Sequence, residues 1–523
     1  MDLHLATALE LKDALERRAV SSREIVSDLI ARRNAVDPVL NAMIVRFDDA
    51  ALAAADAADA ARARGDSLGP LHGLPITIKE SMAIAGTAST LGVPSRAGRL
   101  EPKDAVTVEL LKAAGAIVLG KTNVPMLLLS HESNNPIFGR TVNPWHTDKS
   151  PGGSSGGESA AIASGITPWG VGTDIGGSIR VPAAFAGICG FKPTVDRWSN
   201  LRSYTALAGQ EVIRGQCGPM ARTAADVAAL FRAVDSPVHA RRDPFAIPIP
   251  TEDPATLGIA GRTIGLYVDD GFITPAASVQ RAVRRAGELL TALGARVVPF
   301  TPPCAGELIE LYYAALSSDG GATAEGLVGS DPVTPELTGL MKAMKLPAPL
   351  RPVIAALLER TGEPRVARLL RRLRRKPLEE YWRLTARRSA IRAEVFAAWE
   401  TAGLDAVVCP VHATPPMSHT DSAEVTAAGS YSMRYNFLNF PAGVVPISRV
   451  RPSELVRPPG GDRIEKKLAQ IEAGSVGLPL AVQVVTRPHQ DGLCLALMMA
   501  LDAAARAEPD FPSTPIDPQG AAR

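Results

Sequence analysis

SPGGSSGGESAAIASGITPWGVGTDIGGSIRVP, residues Ser150 to Pro182, is the stretch on which the reading of this chain turns. It holds two glycine-framed serine clusters, Gly152-Gly153-Ser154-Ser155-Gly156-Gly157 and Gly176-Gly177-Ser178. Glycine loses more backbone freedom on folding than any other residue, so this density calls for a tight turn, a positive φ or a ligand brought close to the main chain. A run of backbone N–H groups ending on a serine suits an anion, or the oxyanion of an acyl transfer. A flexible Gly/Ser linker is the bland alternative. Asp174, Ile175, Ile179, Arg180 and Val181 in the same stretch argue against it.

Composition sets the frame around this stretch. The chain has 523 residues, 46% of them hydrophobic and 21% charged, which supplies ample material for a large core and excludes a disordered chain. That length allows two to four domains or one large α/β unit. A formal net charge of +2 gives no global field that would point to nucleic acid. The five cysteines are scattered and form no C-x-x-C, so neither a disulfide framework nor a metal site is expected. The opening MDLHLATALELKDALERR lacks a signal-peptide layout, and no apolar run reaches the length of a membrane span. A cytoplasmic protein is the expectation.

Outward from Ser150–Pro182, helices and strands alternate. Residues 7–35 read as two helices, the second opened by a Ser21-x-x-Glu24 capping box. An alanine-rich helix follows at 49–64, then a β-branched run, Ile76-Thr77-Ile78, that delivers Lys79. Helices at 104–115, 223–235, 277–293 and 490–506 alternate with strands at 116–120, 263–268, 296–300, 405–409 and 478–485. This predicts an α/β fold, a large mixed sheet covered by helices. Between 330 and 376 the rhythm breaks. Leu350, Val353, Ile354, Leu357 and Leu358 make one helical apolar stripe, and RVARLLRRLRRK (365–376) carries seven basic residues and no acid. A basic amphipathic helix suits an anionic membrane surface; a core-packed helix with a solvated basic face fits the same composition. Residues 507–523 read as a disordered tail.

Gly152-x-Ser154-x-Gly156 matches a nucleophile elbow, but no strand signal precedes it, and the late histidines His412, His419 and His489 are isolated as bases. Ser178 is the better nucleophile, since the amides of Ile175, Gly176, Gly177 and Ser178 can curl around it as oxyanion donors. Lys79 is a candidate base: burial on an apolar strand would lower its pKa far enough for it to act neutral. Strand alternation points Glu80 away from it.

TIKES around Lys79, PGGSSGGESAA at 151–161 and GTDIGGSIRVPAAFAGICGFKPT at 172–194 together resemble the amidase signature family. The resemblance implies a Ser–cis-Ser–Lys triad with Ser178 as nucleophile, Ser154 as bridging cis-serine and Lys79 as base, needing neither cofactor nor metal. It assigns Ser155 a supporting hydrogen-bonding role and makes Asp174 and Arg180 buttresses of the loop. On its terms 1–523 is a single amidase domain: N-terminal helices at 1–65, a signature core at 66–325, a helical cap at 330–376, the rest of the core at 377–506 and the tail.

VPMLLLSHESNNPIFGRTVNPW (124–145), SYSMRYNFLNFPAGVVP (430–446) and SVGLPLAVQVV (475–485) are similar to the fatty acid amide hydrolase branch of that family. That branch implies an acyl or lipid amide substrate, an acyl channel lined by Leu128, Leu129, Ser130 and Ile175, and peripheral membrane contact through 350–376. His131, also expected at the substrate, stands where the mammalian members carry an aromatic residue, and the N-terminal membrane helix of those members is not expected in this chain. The apolar stripe equally suits a second copy of the chain. Two other readings stand beside this one: a broad-range amidase of short acyl or aryl amides, esters or carbamates, and a glutaminase-like component of an amidotransferase.

Overall fold

The computed structural model describes residues 2–66, 68–234, 238–458 and 460–518. Strand Ala406–Pro410 shows how its core is divided. Successive strand side chains point to opposite faces. Ala406 and Val408 join a hydrophobic cluster with helices Ala277–Ala292 and Asp491–Ala505, while Val407 and Cys409 join another with helix Leu378–Thr401. Helices therefore cover both faces of the sheet.

Among the described residues eleven strands form this sheet, in the order Met43–Arg46, Ile117–Thr122, Pro75–Lys79, Trp169–Asp174, Gln216–Ala221, Cys189–Lys192, Ala442–Arg449, Pro479–Thr486, Ala406–Pro410, Thr263–Leu266 and Arg296–Pro299. Pro75–Lys79 runs parallel to both its neighbours, whereas Trp169–Asp174 and Gln216–Ala221 pair antiparallel. The strand carrying Lys79 thus lies beside the one ending at Asp174, and the Gly176-Gly177-Ser178 loop leaves the end of the latter. The predicted elements form within a few residues of their expected bounds, and the Ser21 capping box is present. The middle strands Trp169–Asp174, Gln216–Ala221 and Cys189–Lys192 were not expected from periodicity.

Two expectations change. Residues 507–518 of the expected disordered tail run back over the body: Phe511 is buried, Asp510 pairs with Arg451, and the Ile516 amide donates to the Ala163 carbonyl at 2.8 Å. Apolar anchors and ion pairs outweigh its polar composition; residues 519–523 lie outside the described residues. In the 330–376 region, helices Pro335–Lys345, Leu350–Arg360 and Pro364–Arg372 form, but of the second's apolar stripe only Ile354 and Leu358 are half-buried. Leu350, Val353 and Leu357 are 50%, 66% and 61% exposed, whereas Arg351 and Ala355 are buried. The basic residues are not a free field either. Arg365 pairs with Asp462 and Glu465, Arg368 and Arg372 with Glu310, Arg371 with Glu359, and Arg374 with Glu380.

Candidate active site

Lys79 ends its strand fully buried. Its Nζ lies 2.7 Å from Ser154 Oγ and 2.9 Å from Thr173 Oγ1. Burial lowers its pKa to about 7, against the opposing pull of Asp174, Glu158 and Glu80. Glu80 faces away, accepting the amides of Thr90 and Leu91.

The Gly153–Ser154 peptide bond is cis. The loop is held from the segment after Leu128: Ser133 Oγ donates to the Gly152 carbonyl at 3.3 Å and accepts the Gly156 amide at 3.1 Å. Gly153 packs so closely on the carbonyls of Ser130 and Glu132 that a Cβ there would collide with backbone. Ser155 bridges to the second cluster, its amide donating to the Ser178 carbonyl at 3.1 Å and its Oγ lying 3.4 Å from the Thr173 carbonyl.

Asp174 and Arg180, both fully buried, organise the second loop. Arg180 Nε and Nη2 each donate to Asp174 at 3.0 Å, a bidentate pair that Asn436 and Gln483 complete. Burial alone would raise the Asp174 carboxyl; the Arg180 charge and hydrogen bonds hold it well below the usual carboxylate range. Asp174 also accepts the amides of Gly177 at 2.8 Å and Ile179 at 3.1 Å. The Gly177 N–H, expected among the oxyanion donors, is therefore bonded to Asp174. Gly177 has φ +108°, a conformation costly for other residues. The carbonyls of the loop are tied outward: Tyr312 OH donates to that of Ile175 at 3.0 Å, and His131 Nε2 lies 3.2 Å from that of Gly176. A carbonyl only accepts, so that ring nitrogen carries its proton, and burial keeps the imidazole pKa below its ordinary value.

Ser178 opens onto two cavities. One is apolar, of about 90 Å³, walled by Leu128, Leu129, Ile175, Leu207 and Leu316 and reaching Leu340, Met344 and Leu373 of the cap region. Ser130 and His131 line it as well. The other is larger, about 230 Å³, with a more polar lining that sets Ser154 and Ser178 beside Asn200, Tyr204, Arg214 and Gln216.

The structure thus brings Lys79, Ser154, Ser155, Asp174, Arg180 and Ser178 into one buried centre, with Leu128 to His131 at its apolar side. The late histidines make other contacts than the two serines: His412 packs on Phe185 and on His131 at the edge of the site, His419 bonds the Thr147 carbonyl, and the His489 amide bonds Thr194. Sequence reasoning missed Thr173, Ser133, Glu158 and Tyr312. Thr173 adjoins Asp174 inside the quoted motif and was within reach; Tyr312 is 137 positions from the carbonyl it holds, and nothing local marks it.

The model of the family described as Amidase matches residues 24–495. Fatty-acid amide hydrolase 1 from Sus scrofa is 37% identical over 440 residues, which cover 83% of this chain and 76% of that protein. Fatty acid amide hydrolase 1 from Caenorhabditis elegans is 30% identical over 501 residues, 95% of this chain and 87% of that protein. Among solved structures, a fatty acid amide hydrolase superposes with TM-score 0.85 at 25% identity, covering 96% of this chain and 85% of its own.

Proposed function

The chain belongs to the amidase family and is an amide-hydrolysing enzyme, and from that premise we propose that it cleaves acyl amides through Ser178, Ser154 and Lys79, with the acyl chain in the apolar cavity. The observation that carries this reading is the 2.7 Å contact of Lys79 with Ser154 behind a serine that faces both an apolar and a more polar cavity.

In the proposed reaction neutral Lys79 takes the proton of Ser154 as Ser154 takes that of Ser178, and Ser178 Oγ bonds to the amide carbon. The carbonyl oxygen gains the electron pair and meets the Ile175, Gly176 and Ser178 amides. Removing one such donor typically raises a barrier by about 3–4 kcal/mol. As the C–N bond breaks, the proton on Lys79 returns through Ser154 to the nitrogen, and the amine departs into the more polar cavity. Water then attacks the acyl-enzyme, and the same relay restores Ser178. Asp174 and Arg180 act here as positioning residues.

Reach of the apolar cavity toward Met344 and Leu373, together with the similarity to fatty-acid amide hydrolases, supports a lipid amide as substrate. We place the exposed Leu350, Val353 and Leu357 against lipid as a peripheral contact; among the described residues no helix is long and apolar enough to cross a membrane. The test is turnover across a series from acetyl to oleoyl amides, with and without liposomes. kcat/KM is expected to rise with acyl length; a maximum at acetyl, indifferent to liposomes, would exclude the lipid reading and favour a short-acyl amidase.

A further inference from the structure

Beside the relay lies a buried carboxyl that the reaction above does not use. Glu158 stands in the first turn of helix Gly156–Ala163, fully buried. Thr122 Oγ1 donates to its Oε2 at 2.6 Å, and Thr77 Oγ1 donates to its Oε1. The sheet ties both threonines to Lys79. Thr77 precedes Lys79 by two residues on the same strand face, and Thr122 is the register partner of Lys79 on the adjoining strand. Gly170, the register partner of Thr77 on the other side, makes the room: a Cβ there would overlap the Glu158 carboxyl. Three strands thus form one socket for this side chain.

Three carboxyl groups act on Lys79. Asp174, at the end of strand Trp169–Asp174, is locked by Arg180 from helix Arg180–Ala186. Glu80, next to Lys79 in the chain, is capped by two backbone amides. Glu158 is held by two neutral hydroxyls on the Lys79 strand and the one beside it, and burial raises its carboxyl to about 7 while the charge of Lys79 pulls it down.

We propose that Glu158 is a positioning residue whose carboxylate sets how much of Lys79 is neutral, and so the pH at which the relay engages. This rests on the reading of Lys79 as the base. An anionic Glu158 keeps the proton on Lys79; a neutral Glu158 lets it leave.

Glu158→Gln tests this, because the amide retains the shape, an acceptor for one threonine and a donor for the other. The measurement is kcat/KM for an acyl amide, and the second-order rate of labelling by a fluorophosphonate, against pH for wild type, Glu158→Gln and Lys79→Ala. The expected result is an acid limb displaced downward by about one pH unit in Glu158→Gln, the size of effect a close opposite charge exerts, with the high-pH plateau retained. A merely structural role would lower the plateau and leave the midpoint in place, and an unmoved or raised midpoint overturns the proposal. If Lys79→Ala is inactive while that midpoint does not move, the Glu158 assignment alone fails. If Lys79→Ala keeps the wild-type rate and limb, the relay fails and takes this inference with it. Should Glu158→Gln not fold, Thr122→Val removes one donor from the carboxylate and favours its neutral form. The limb then moves down by less, and an unmoved midpoint again overturns the idea.

Discussion

Acid–base work at Lys79 depends on a neutral amine, and burial brings its ammonium down to about 7. The base is the deprotonated form, so activity is lost as pH falls through that value and regained above it. We expect kcat/KM for amide hydrolysis to climb about tenfold per pH unit on the acid side and to level off above about pH 8. A flat profile from about pH 5 to about pH 9 would show that no such group limits the reaction. Ser178 has its own test. Ser178→Ala should abolish labelling by a fluorophosphonate, whereas Ser155→Ala, one loop away, should leave the nucleophile labelled; persistent labelling of Ser178→Ala would move the nucleophile elsewhere.

At the scale of elements, the loop after strand Trp169–Asp174 is shaped by one buried ion pair rather than by glycine alone. Asp174 binds the Gly177 and Ile179 amides and Arg180, while Asn436 and Gln483, from helix Ser430–Phe437 and strand Pro479–Thr486, hold the pair from the far half of the chain. Breaking a buried pair by removing one partner leaves an uncompensated charge, which costs about 3–5 kcal/mol. Asp174→Ala is expected to lose that much in urea unfolding and to lower kcat more than it alters KM, because the released Gly177 amide no longer fixes the curl. A variant of wild-type stability would mean that Arg180 finds another anion.

For the whole molecule, the arginines of 365–374 do not act as a free basic patch, since their carboxylate partners come from distant segments such as Glu310 and Asp462. The cap also exposes apolar side chains: Leu350, Val353 and Leu357, with Leu378 and Trp382 exposed on the next long helix. The proposed lipid contact is then driven by apolar burial and only weakly screened by salt. Val353→Asn with Leu357→Asn should reduce co-sedimentation with liposomes several-fold while leaving turnover of a short acyl amide intact. Binding that collapses on raising salt would return the role to the arginines. A dimer in sedimentation velocity that these substitutions dissociate would assign the face to a second copy.

Much of the site was legible because its residues lie in short local motifs. Lys79 follows a β-branched run, and the clusters around Ser154 and Ser178 advertise close backbone packing through glycine. Strands Thr263–Leu266 and Arg296–Pro299 and helices such as Ala277–Ala292 were legible because periodicity is local, whereas the edge strand Met43–Arg46 and the long helix Leu378–Thr401 were not expected. The centre of the sheet was not: WGVGTD, CGFK and QCGPMA form Trp169–Asp174, Cys189–Lys192 and Gln216–Ala221, where glycine and polar residues replace the alternating pattern. Those strands exist because helices press on both faces and glycine permits the approach, a condition no window of sequence contains. Ser150–Pro182 by itself determined that a serine and its flanking amides would be presented by a curled backbone. Only the tertiary structure decided that Asp174 claims the Gly177 amide; that Glu158 is held by Thr77 and Thr122, on the Lys79 strand and the one beside it; and that helix Leu350–Arg360 turns Leu350, Val353 and Leu357 outward, because Arg351 and Ala355 take the buried side.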